Sequence, residues 1–169
     1  MFLELPDGGV FDYDMQFLED LLQLLDSHIE RLAANVPQDI DADSWGLYDS
    51  TEYIIGLGFV ACQGYLAATY SYLNIEKVEA LKAEPKHPSG LTYAEIINHA
   101  ANSWKHHEEW SLPSNKGRGH ACEALDILLG DEPCDPLTAI LGAVVFARSN
   151  RLQALLPHLR AWREALART

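Results

Sequence analysis

Between positions 14 and 35 the apolar residues Phe17, Leu18, Leu21, Leu22, Leu25, Ile29 and Leu32 return at steps of three and four. A helix lines one face at that spacing, so the pattern predicts an amphipathic helix from about Asp14 to Asn35. Upstream, Phe2 to Leu5 and Val10 to Tyr13 read as two short extended runs around Pro6-Asp7-Gly8-Gly9, a small N-terminal β-hairpin that needs the helices for support. Val36 to Tyr48 holds Pro37, Gly46 and three Asp, which is loop composition, with Trp45 expected to anchor it.

The next segment has a different pattern. Asp49-Ser50-Thr51-Glu52 has capping-box spacing, and from Tyr53 to Leu73 twenty-one residues pass without a formal charge. Length alone would license a membrane span, but Gln63, Thr69, Ser71, four Tyr, three Gly and an acidic upstream flank argue against one. A helix buried on nearly all sides has the same signature, so residues from about 50 to 74 are expected to form the centre of a bundle. Ile75, Val78 and Leu81 continue the helical spacing, with a break expected near Asn74 or the helix running on to Pro85.

Beyond the Pro85 to Gly90 loop, Thr92-Tyr93-Ala94-Glu95 is a second capping box opening a helix to about Trp110. Ser114 to Gly119 reads as a flexible connector. Short helices are expected at His120 to Leu129 and, after Asp135-Pro136, from Leu137 to about Arg148. Pro157 must kink or restart the last one, Asn150 to Ala167. The whole predicts an all-α fold, a single helical domain over residues 1–169, with five to seven helices around the uncharged one.

Composition adds little until charge is mapped. Apolar residues make up 48% of the 169 and charged ones 22%, ordinary values for a chain that buries its own core. Met1 to Glu52 holds 13 acids against one base, Arg31, while the other 117 residues hold 12 acids and 11 bases. The end of the chain is basic, with Arg148, Arg151, Arg160, Arg163 and Arg168. Such a field disfavours nucleic acid and favours a basic protein, the charge character of proteins that neutralise nucleases and other basic toxins. The simpler account lays the acidic front against the basic tail or leaves it solvated. On the functional account Glu19, Asp20 and Asp26 contact the partner, together with Trp110 in the Lys105 to Trp110 cluster. Cys62, Cys122 and Cys134 cannot all pair and have no metal-finger spacing, and the first residues hold no export signal. A cytoplasmic protein is therefore expected, with membrane association disfavoured.

Catalytic chemistry has one main candidate. Glu95, His99, Asn102, His106 and Glu109 form a polar stripe on the helix from Thr92 to Trp110. Carboxylate and imidazole at this spacing can present a divalent metal to a bundle interior, with Glu52 or Glu123 as partners. Against that, Tyr93, Ile97, Ala100 and Trp104 mark the opposite side as the buried one. His99 and His106 also stand two turns apart, about 10 Å along the axis, too far to share an ion. No cofactor is predicted, and a metal- or small-molecule-dependent enzyme using Glu95, His99, His106 and Glu109 is the alternative to a binding protein. A self-associating scaffold, joined through the Gly-rich helix, is the second alternative.

Two further motifs are weaker. Arg151 and His158 fall within the Arg-to-His spacing of the helical HEPN ribonucleases. Leu152 stands where that motif has a polar residue and Pro157 interrupts the helix, so the chain is not assigned to that family. Lys116-Gly117-Arg118-Gly119-His120 could cradle a phosphate but lacks the spacing of a nucleotide loop.

Overall fold

The computed structural model describes residues 2–4, 10–110, 120–129, 137–145 and 151–168. Two strands, β1 (Phe2–Glu4) and β2 (Val10–Asp12), pair antiparallel with Leu3 opposite Phe11. Among the described residues there are seven α-helices: α1 (Tyr13–Ala34), α2 (Leu47–Tyr72), α3 (Lys77–Leu81), α4 (Tyr93–Trp110), α5 (His120–Leu129), α6 (Leu137–Val145) and α7 (Leu156–Leu166). The all-α bundle expected from the sequence is the fold, with the uncharged helix at its centre.

α2 packs against α1, α4 and α6, and its Ile55, Phe59, Cys62 and Leu66 lie in the main core with Leu22, Ile96, Ile97 and Trp162. Gly56 serves this packing: a Cβ there would fall inside the Trp104 indole, which lies directly against the backbone. Burial all round, however, does not hold. Tyr53, Leu57, Gly64, Ala68 and Ser71 form an exposed stripe along the helix, and a Cβ on Gly64 would meet nothing within 4 Å. Length and composition would let this one helix cross a membrane, yet half of its apolar window is buried against its neighbours.

Helix ends show where local pattern succeeds and where distant partners override it. At α4 the Thr92 hydroxyl accepts the Glu95 N–H at 3.0 Å, and the Glu95 carboxylate accepts the Thr92 N–H at 2.8 Å. At α2 the expected box is not used. That helix starts earlier, after Gly46 in the left-handed region (φ 74), and Glu52 reaches across to α6. Its carboxylate accepts the N–H groups of Leu137 (2.5 Å) and Thr138 (2.9 Å), donors with no partner inside their own helix. The Asp135-Pro136 cap expected for α6 lies outside the described residues.

The chain breaks after α2 at Asn74, whose φ is 55°, before α3 begins. Pro157 restarts the last helix rather than kinking it: a 3-10 turn, Leu152–Leu155, leads into α7 with the proline in its first turn.

Candidate functional site

Several acids of the front half are consumed inside the molecule. Asp12, almost fully buried, caps α1 by accepting the Met15 N–H at 3.0 Å and also receives the Tyr65 hydroxyl and the Arg163 guanidinium, each at 2.8 Å. Burial, and then the bond to Asp12, push the Tyr65 phenol above its ordinary range. Glu19 pairs with Arg160 at 2.7 Å, and Glu30 pairs with Arg151. The acidic front therefore does lie, in part, against the basic tail. Both of those outer pairs are half exposed, so each contributes only about 0–1 kcal/mol.

Asp26 sits on the buried face of α1, and its two oxygens accept the N–H groups of Leu152 (2.8 Å) and Gln153 (3.1 Å). Desolvation raises its pKa, against the opposing pull of those two backbone bonds and Arg151. Of the residues expected to meet a partner, Glu19 and Asp26 are thus engaged internally. Asp20 stays on the surface with Gln16 at 3.3 Å, and the Trp110 side chain lies outside the described residues.

What remains exposed is concentrated between α1 and the first turns of α2. Asp39, Asp41, Asp43 and Asp49 are exposed, and none is in an ion pair among the described residues. The loop is shaped by Asp41, whose carboxylate accepts the Ser44 N–H at 3.1 Å, a local turn that competes with helix. Gly46 then redirects the chain. Trp45 is no anchor: it is 52% exposed, with Tyr48 at 59% and Tyr53 at 60% beside it in sequence. Tyr53 meets Trp104 edge-on at 5.4 Å, which fixes its ring against α4 while leaving most of it in solvent. Exposed aromatic faces among unpaired carboxylates suit arginine and lysine, which gain both charge pairing and cation–π contact.

The α4 stripe is split among different tasks. Glu95 closes the capping box, His99 is half-buried, Asn102 binds Gln63 at 2.9 Å, and His106 is exposed; the Glu109 side chain lies outside the described residues. Among the described residues no three His, Cys, Asp or Glu side chains are grouped to hold a metal ion. Glu52, one of the two proposed metal partners, is occupied by the α6 cap, and the Glu123 side chain is not among those described. Arg151 and His158 serve different neighbours, Glu30 and Tyr93. The Lys116 to Gly119 loop lies outside the described residues.

His158 stacks on Tyr93 with centroids 3.7 Å apart, and Tyr93 in turn meets His87 edge-on at 5.6 Å. Burial first, and the nearby His87 second, lower the His158 pKa below 6.5. Between the lowered folded value and 6.5 the unfolded chain holds the proton and the folded chain does not. The stability that His158 contributes is therefore complete above pH 6.5 and declines as pH falls through that window. His158→Phe, which keeps the stacking without the proton, is expected to flatten this part of a urea-melt pH series; an unchanged slope would assign it to other groups.

Sequence reading missed Trp45, Tyr48 and Tyr53 as surface groups, although their spacing among Asp39, Asp41, Asp43 and Asp49 was visible. The chain matches no family model, no curated protein and no solved structure.

Proposed function

We propose that the chain is a small acidic binding protein that engages a basic protein partner through the surface spanning residues 39–53. One observation carries the proposal: Asp39, Asp41, Asp43 and Asp49 are exposed, have no internal ion pair among the described residues, and flank in sequence the half-exposed Trp45 and Tyr48. Asp12, which caps α1, and Glu19, Asp26 and Glu30 within it support the proposal less, because they already have partners in the fold.

The test is a capture experiment with the wild-type chain as bait, followed by kinetics on the protein recovered. A basic partner is expected, whose association slows steeply as salt is raised. Reversing the three loop charges (D39K, D41K, D43K together) should slow association by about ten- to a hundredfold. Asp20→Lys should change it far less. Association that ignores both salt and the triple reversal, or that depends on Asp20 instead, refutes the reading.

A further inference from the structure

A second site lies on α4's other flank and has the opposite electrostatic character. α2, α3 and α4 enclose an open cleft of about 330 Å³ that includes Gln63, Lys77, Asn98, Asn102 and Lys105. Among the described residues no carboxylate lines it, in a chain of net charge -13 that has only five lysines. Val60 and Leu81 provide an apolar wall.

Hydrogen-bond polarity runs in one direction through the cleft. The Lys105 ammonium, which can only donate, lies 2.7 Å from the Gln63 side-chain oxygen and so fixes that carboxamide. The Gln63 nitrogen is then the donor to the side-chain oxygens of Asn98 and Asn102, at 2.9 Å each. With both oxygens used, each asparagine is left with its NH₂ group, and neither group has an acceptor among the described residues. Asn98 is only 6% exposed, so its donor lies at the cleft's base rather than on open surface. Neither nitrogen is among the fully buried unpaired atoms, so both amides open onto the cleft, where an incoming acceptor can meet them without first displacing a protein partner. Lys77, exposed and without an ion-pair partner among the described residues, adds a second positive charge.

We infer that this cleft binds a small organic carboxylate. Its oxygens would accept from the Asn98 and Asn102 amides and pair with Lys77 and Lys105, while its hydrocarbon part lies on Val60 and Leu81. The inference does not depend on the acidic surface, which involves other residues.

Hexanoate is a suitable probe, with hexylamine and inorganic phosphate as controls, read by NMR on the side-chain amide signals of ¹⁵N-labelled full-length protein. Hexanoate should shift the Asn98 and Asn102 signals saturably, hexylamine should not, and phosphate should bind more weakly for want of the apolar contact. Asn98→Asp keeps the oxygen that Gln63 needs and replaces the donor by a second acceptor. It is expected to weaken hexanoate binding about tenfold or more, and Lys77→Met, which removes an exposed charge, to weaken it about two- to fivefold. Lys77 is on the surface, so its variant keeps the test decisive should Asn98→Asp fail to fold. Unmoved amide signals, hexylamine binding as well as hexanoate, or full affinity in Lys77→Met each overturns the inference. Phosphate binding equal to hexanoate overturns its organic part.

Discussion

Asp12→Ala is expected to cost about 3–5 kcal/mol of folding stability, measured as a lower urea midpoint with an unchanged slope. The size follows from what the carboxylate holds. It caps α1 through Met15, accepts the Tyr65 hydroxyl, and pairs with an Arg163 side chain that is only about a quarter exposed. Loss of the cap alone is worth about 1 kcal/mol. The greater part arises because Arg163 and Tyr65 would keep their desolvation without a partner. Arg163→Met in the same background should therefore recover part of the loss, leaving the double variant less damaged than the two single effects added together. Strictly additive effects would mean that Asp12 acts only as a cap.

Another buried carboxylate, Asp26, shows what could be read in the sequence. Leu18 and Leu22 mark the buried face of α1, and one turn beyond Leu22 that face carries Asp26 in place of another apolar residue. An acid on an apolar stripe announces internal use, yet net charge invites grouping it with its exposed neighbours Asp20 and Glu30. The helices themselves were legible because their periodicity is local, as were the Thr92 box and an interruption at Pro157, though not whether the proline kinks the helix or restarts it. Glu52 was not, because its contacts lie 85 and 86 residues away and a four-residue pattern cannot weigh them. Nor was the orientation of α2: lack of charge is equally compatible with burial on one side and on all sides, and only the placement of α1 and α4 distinguishes them. Gln63, a carboxamide within the uncharged segment, was a visible trace of the polar cleft. Of its partners, Asn102 was read as part of a wet stripe, and Asn98, one turn before it, was not singled out.

Trp162→Ala should destabilise the fold by about 4–5 kcal/mol, while Trp162→Phe should lose only about 1–2. Trp162 is 1% exposed, and its indole N–H donates to the Ala80 carbonyl at 2.7 Å, joining α7 to the end of α3. Alanine removes a large aromatic surface and leaves that carbonyl without its donor; phenylalanine keeps most of the packing and loses chiefly the hydrogen bond. α7 also carries Arg160 and Arg163, the partners of Glu19 and Asp12, so both burial and ion pairing attach it to the rest of the fold. Salt separates them. Exposed ion pairs weaken as ionic strength rises, whereas the burial of an indole does not. The Trp162→Ala loss is expected to be the same at low and high sodium chloride. A loss that shrinks with salt would place the attachment of α7 in its arginines, and the acids of α1 would then be held by α7 only as firmly as the medium allows.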